Sequence, residues 1–313
     1  GASIIDLLEI YKKVTYENRP DNYKLSTVAK HLLHDDKKQI HEISKMWSLQ
    51  FIDEFIEYCK HDVYLCKEID KKARLLETFL TIQQIVPMPL HEIFHESRVI
   101  DNYILKKYHN KLIFPSKRQN PRIEFRGALT LLPSPKLYTN VVLFDFKSMY
   151  SNIYRTFNIS PDTIDESGEI KIYLEDDKKH LAFTKHKRGI LPLILDELIL
   201  ERQKIEKLRD DAPANSQERY ALQNMQGAIK VVMNSIYGVM GYKNFRLYNV
   251  DIPTCVTQLG RELLLYTKKC IEAEGYEVIY GDTDSLFVQF NQNYIDFQEF
   301  VVDINQLKQK INK

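Results

Sequence analysis

Over roughly the first 85 residues, apolar positions recur at helical spacing with Lys and Glu between them, which predicts a largely helical segment. Within it, Phe51 to Ile69 reads as one helix whose apolar stripe includes Phe51, Phe55, Val63 and Cys66. Val86-Pro87-Met88-Pro89-Leu90 ends that pattern, because two prolines exclude regular helix. The period then changes. Val141-Val142-Leu143-Phe144 is a continuous apolar run of the kind a buried strand carries, broken by Asp145. Tyr276 to Ile279 and Leu286 to Phe290 are β-branched and aromatic, and the short Gly281-Asp282-Thr283-Asp284 link between them predicts a hairpin. Between the strands lie two long helices. The first opens at Gly189-Ile190-Leu191-Pro192 and runs from Leu193 to about Asp210, and the second ends at Tyr237. Ala212-Pro213-Ala214-Asn215-Ser216 is the turn joining them. A further helix, Cys255 to Glu274, stops at Gly275. The span from about 160 to 186 is charged, and within it Glu175-Asp176-Asp177-Lys178-Lys179 reads as a solvated loop; the Lys185-His186-Lys187-Arg188 run after it reads as plain surface ahead of a phosphate contact. The pattern as a whole predicts an α+β chain with an antiparallel sheet.

Three stretches carry candidate chemistry. Tyr280-Gly281-Asp282-Thr283-Asp284-Ser285 sets two carboxylates one residue apart at a hairpin tip, where like charges repel unless a cation or a proton intervenes. Alone, an Asp-x-Asp turn is more often a solvated turn than a site. Asp145 is a second acidic strand end, and a buried unpaired Asp is costly, so it belongs where the strand emerges. Lys147 to Tyr154 follows it and can start a helix with free backbone N–H groups. Carboxylates from separate strand ends, with amides aimed at anions, suit a hard cation and phosphate. In the third stretch, Lys230, Asn234 and Tyr237 share a helix face; a snorkelling Lys and a packed Tyr are the commoner account of that spacing taken alone.

The order of these stretches resembles family B DNA polymerases. Asp145-Phe146-Lys147-Ser148-Met149-Tyr150 is similar to the family's Asp-x-x-Ser-Leu-Tyr-Pro motif, and Lys230 to Gly238 to its Lys-x-x-x-Asn-Ser-x-Tyr-Gly motif. Tyr280 to Ser285 has the form of its Tyr-Gly-Asp-Thr-Asp-Ser motif in full. Ile153 to Phe157 and Gly275 to Tyr280 look most like bacterial DNA polymerase II. Phe125-Arg126-Gly127-Ala128 loosely matches a Tyr-x-Gly-Gly/Ala element that touches the template, although an ordinary Arg-Gly turn is the commoner explanation of such a tetrapeptide. Tyr58-Cys59-Lys60-His61-Asp62 resembles the last motif of a 3′–5′ exonuclease, with Asp62 as a metal ligand and Tyr58 positioning water, whereas such a Tyr/Asp pair is usually surface decoration.

The resemblance implies two-metal nucleotidyl transfer, with two Mg²⁺ ions for which Mn²⁺ can substitute. Asp145 and Asp284 are then the principal ligands and Asp282 a nearby carboxylate. Phe146, Ser148, Met149, Tyr150, Arg202, Lys230, Asn234 and Tyr237 would bind the nucleotide, Tyr150 lying under the sugar and disfavouring a 2′-hydroxyl. Gly127, Tyr280, Gly281 and Thr283 would contact template or primer. It also implies an exonuclease remnant at 1–85, palm at 86–188, two-helix antiparallel fingers at 189–241 and palm again at 242–313. The expected partners are primer–template DNA and a dNTP, with a sliding clamp engaged through regions outside the chain. Two departures stand out: Ser151 replaces the family Pro, and Glu206 a basic residue of the fingers. The thumb and the earlier exonuclease motifs have no match, so the chain is expected to be a fragment. A binding module that holds primer–template and nucleotide without chemistry is the alternative.

Composition changes this picture little. Lys+Arg of 44 against Asp+Glu of 43 gives +1 over 313 residues, so no overall basic signal points to nucleic acid, though a local groove suffices. Cys59, Cys66, Cys255 and Cys270 lack metal-ligand spacing and read as reduced thiols. No signal-peptide pattern or membrane-spanning run is seen. The expected location is the cytoplasm and nucleoid for a bacterial protein, or the nucleus or viral factory of the host for a viral one.

Overall fold

The computed structural model describes residues 4–14, 20–38, 50–214, 216–290, 294 and 296–312; Asn215 of the predicted turn lies outside them. The helices of the N-terminal part are α1 (Leu7–Val14), α2 (Leu25–Leu33), α3 (Ile52–Ala73), α4 (Leu75–Ile85) and α5 (Glu96–Lys107). Next come strands β1 (Thr130–Leu131) and β2 (Val141–Asp145), helix α6 (Met149–Thr156), and strands β3 (Ile170–Leu174) and β4 (Lys179–Phe183). The chain continues through α7 (Ile190–Asp211), α8 (Gln217–Met240), α9 (Asp251–Ala273), β5 (Glu277–Asp282), β6 (Ser285–Gln289) and α10 (Phe297–Ile311). The fold is thus mixed, mostly helical with two small antiparallel sheets, as the pattern predicts. It forms two compact units, Gly1–Phe114 with Glu201–Ser235, and Pro115–Leu200 with Ile236–Lys313.

In the first unit α3 packs on α1, α2 and α4. Leu65 and Ile69, four apart, are its buried residues, whereas Val63 is 70% exposed. The apolar stripe expected from Phe51, Phe55, Val63 and Cys66 is therefore rotated, because tertiary packing selects among apolar positions. α4 stops at Ile85, before the two prolines, and Gln83 Nε2 donates to Met88 O at 2.8 Å to hold the break. The paired long helices α7 and α8 are bridged in this unit by Arg209 Nη1, which donates to Gln226 Oε1 at 2.6 Å.

The second unit is built on the antiparallel sheet β1-β5-β6-β2. Opposite residues share a face. Val142 with Val288, and Phe144 with Leu286 and Gly281, face the core formed with Leu264, Ile271, Phe290 and Leu307. Each such aliphatic side chain, fully buried, contributes about 1.5–3 kcal/mol. A Cβ on Gly281 would lie 2.9 Å from Leu286 Cδ2, which is why this position stays small. Tyr276 and Tyr294 donate to Asp303 at 2.5 and 2.6 Å and fasten α10 to the sheet edge.

Two expectations change, and one hairpin is new. β2 is an edge strand rather than a buried one: it pairs only with β6, and Leu143 on its second face is 54% exposed. The hairpin loop is only Thr283-Asp284, since Gly281 and Asp282 remain paired in β5. Within the charged span, Glu175 to Lys178 is an exposed turn, as expected, but it is the tip of a hairpin that the sequence pattern does not announce. Ile170–Leu174 and Lys179–Phe183 pair as β3–β4, burying Ile172, Leu174, Ala182 and Phe183. Its tip is tethered by Asp176, 3.6 Å from Arg126 and 3.8 Å from Arg261, and by Lys179, 2.7 Å from Asp251. The following basic run, residues 185–188, is exposed, as a surface run would be, and Arg188 pairs with Asp196 at 2.7 Å.

Candidate active site

The carboxylates are brought together by strand register. Asp145 pairs with Ser285, and Ser285 with Asp282, so Asp145 and Asp282 flank one residue on the same sheet face. A register slip between Val278 and Tyr280 makes this possible. Val278 faces the core with Val288; one extra residue then turns Tyr280 and Asp282 to the opposite face, where Asp145 lies. Asp284 sits in the two-residue turn, and its carbonyl accepts from Phe146 N at 2.8 Å, locking the turn to the end of β2. Thr283 holds φ 55°, left-handed for a β-branched residue, and its N–H donates to Leu129 O at 3.1 Å. Ser148, at φ 54°, leads into α6. Both flanks of the cluster thus store backbone strain, of order 1–3 kcal/mol each.

The electrostatics follow. Burial, then the neighbouring charges of Asp145 and Asp282, push the Asp284 carboxyl above its ordinary range. Asp282 accepts from Thr130 Oγ1 and Thr283 Oγ1, both at 3.2 Å. Among the described residues no Lys, Arg or His pairs with any of the three aspartates, and no three acidic, His or Cys side chains form a ready metal cage. That donor set fits Mg²⁺, which is held by one or two carboxylates together with water and substrate phosphates rather than by an all-protein cage.

Tyr150, on α6, packs its ring 4.5 Å from that of Tyr237, and burial drives its phenol upward in pKa, assisted by Tyr237 and Asp284. Met149 is buried beside it, Phe146 packs against the sheet core, and the Tyr280 ring meets Phe287 edge-on at 5.3 Å. Arg261, 5% exposed on α9, donates to Gly127 O at 2.7 Å and Arg126 O at 3.1 Å, fixing the loop expected to meet the template.

In the first unit, Arg202, Lys230 and Asn234 line one cavity of about 750 Å³. Arg202 Nε and Asn224 Nδ2, also in its lining, are buried donors without a hydrogen-bond partner among the described residues. Buried donors in that condition suit an anion. Tyr58 and Asp62 stand one turn apart on α3, but Lys37 reaches both, 2.7 Å from the Asp62 carboxylate and 2.7 Å from the Tyr58 hydroxyl. No spacing rule points to Lys37, which is contributed from outside the helix. Asn224 and the tether at Asp176 escape sequence reasoning for the same reason: their roles come from packing. Gly260 leaves a faint mark, as a glycine inside a strongly helical run.

The family model for DNA polymerase family B matches residues 66–313. The chain belongs to DNA polymerase family B. A DNA polymerase of Pyrococcus glycovorans is 28% identical over 96% of this chain, and one of Desulfurococcus sp. (strain Tok) is 30% identical over 92%. The chain spans 41% and 38% of those relatives' lengths. The solved family B DNA polymerase of the hyperthermophilic archaeon Pyrobaculum calidifontis superposes with a TM-score of 0.74 at 25% identity, covering 94% of this chain and 40% of that one. No described helix is long and apolar enough to cross a membrane.

Proposed function

We propose that this chain carries the nucleotidyl-transfer centre of a DNA-directed DNA polymerase, acting on a nucleic-acid primer paired to a template and on a dNTP. The observation that carries the reading is the meeting of Asp145, Asp282 and Asp284 on two adjoining strand ends, with no cation among the described residues to neutralise them. Asp145 and Asp284 would hold the metal pair, with Asp282 contributing less. Bound there, divalent ions lower the pKa of the primer 3′-hydroxyl and neutralise the leaving pyrophosphate. The chain's own part is positional. The Phe146 N–H to Asp284 bond keeps the carboxylates at fixed separation. Tyr150, braced by Tyr237, offers its ring to the deoxyribose. Arg202, Lys230 and Asn234 supply donors for the triphosphate, Arg as a planar fork and Lys as a point charge. The Arg126–Gly127 loop, held by Arg261, faces the template. The domain division into exonuclease remnant, palm and fingers belongs to the same reading, and Tyr58 and Asp62 within it are the remnant's water-positioning and ligand residues.

The test is primer extension with Mg²⁺ and dNTPs. Asp284→Ala should lower the rate by about 10²–10³-fold or more, the range for removing one preorganised electrostatic contact, with far-UV circular dichroism unchanged. Extension at the parent rate defeats the assignment. Retained primer–template binding with no nucleotide added by the parent chain points instead to a binding module.

A further inference from the structure

Helix α9 contains a glycine, Gly260, in its interior, where glycine weakens a helix relative to alanine. A Cβ there would lie 3.1 Å from Tyr150 Cε1 and 3.1 Å from Met149 Cε, tighter than ordinary contact. The Tyr150 ring also meets the Tyr237 ring, centroids 4.5 Å apart and planes tilted 39°, which limits how far it can yield. α9 itself is pinned at this level. Thr257 Oγ1 donates to Arg126 O at 2.9 Å, and Arg261 donates to Gly127 O and to Gln258 Oε1 at 2.7 and 2.6 Å. By contrast, a Cβ on Gly227, the glycine midway along α8, would meet nothing within 4 Å.

We infer that Gly260 is a positioning residue for sugar selection: its missing side chain forms the floor of a slot, walled by Tyr237, that sets the height of the Tyr150 ring. The inference rests on the reading of Tyr150 as the residue beneath the deoxyribose. With the floor raised by one methyl group, the ring is pressed away from α9, which on that reading narrows the space the sugar takes. A 2′-hydroxyl, the bulkier substituent, then suffers more than hydrogen.

The experiment measures kcat/KM for dATP and ATP opposite template thymine in the intact protein. Gly260→Ala should lower both values but ATP more, raising the dATP/ATP ratio at least threefold. In a Tyr150→Ala background, where the ring is gone, Gly260→Ala should leave the ratio unchanged. Equal losses for both nucleotides overturn the inference and reduce Gly260 to a packing residue. If Tyr150→Ala collapses the ratio while Gly260→Ala does not move it, the slot fails and the reading of Tyr150 survives. If Tyr150→Ala itself leaves discrimination intact, both fall. Should Gly260→Ala not fold, Tyr237→Ala probes the opposite wall: the ratio is expected to drop as the ring is released, and an unchanged ratio overturns the slot.

Discussion

At the scale of single residues, Asp284 concentrates the conflict between folding and chemistry. Its carboxyl is raised by burial first and by Asp145 and Asp282 second, so folding favours its protonated form. A group with a raised folded pKa stabilises fully below its unfolded value, about 3.9 for Asp, and loses that contribution as pH rises through the folded value. At neutral pH without a divalent cation, the ionised Asp284 therefore weakens the fold. Asp284→Asn should raise Tm at pH 7 in the absence of metal, with the gain shrinking to nothing below about pH 4. Calorimetry at both pH values checks this, and an equal gain at each would show that charge is not the cause. The three aspartates were legible in the sequence because a carboxylate ending an apolar run is costly to bury and calls for a cation or a proton beside it. Lys37 was not. A lysine neutralising Asp62 from another segment leaves no local pattern, since it is chosen by proximity in space.

Among elements, the helices were the most legible and the small strands the least. α7, α8 and α9 follow from periodicity, proline and the Gly275 stop, where φ is 89°. β3–β4 was missed because Lys171, Tyr173 and the run Glu175 to Lys178 hide a two-residue alternation that buries only Ile172 and Leu174 on the first strand. β2 looked buried because apolar residues occupy both faces, although only Val142 and Phe144 meet the core. α9 offers the sharpest element-scale prediction. Arg261 satisfies two backbone carbonyls and the Gln258 side chain from a nearly buried position. Arg261→Met keeps the bulk but strands those acceptors, and should cost about 2–4 kcal/mol in urea unfolding. A loss under about 1 kcal/mol would mean that water replaces the guanidinium.

For the molecule as a whole, net charge near zero gave no hint of a nucleic-acid partner, because 43 acidic residues balance 44 basic ones and a local arrangement of charge leaves no trace in the sum. Under the proposed function, Mg²⁺ at ten times its dissociation constant should stabilise the chain by about 1.4 kcal/mol through mass action. Differential scanning calorimetry with and without Mg²⁺ reads this directly, and Asp145→Asn should abolish most of the shift. An undiminished shift in that variant would place the ion elsewhere. Family membership was legible from three ordered motifs. The division of residues 1–114 and 201–235 into one compact unit was not, because it joins segments separated by most of a sheet domain.

The slip at Ile279 has a consequence for how this sequence can change over time. Past the slip, side chains in β5 can be exchanged one at a time, but the number of residues cannot. Deleting Gly281 would leave every other amino acid in place and still rotate Asp282 by half a turn, hiding the acid beside Leu286 and away from Asp145, whereas deleting Ile279, the unpaired extra residue, would only restore regular pairing and keep Tyr280 and Asp282 outward. In this strand the count of peptide units carries as much chemical information as the identity of any one of them.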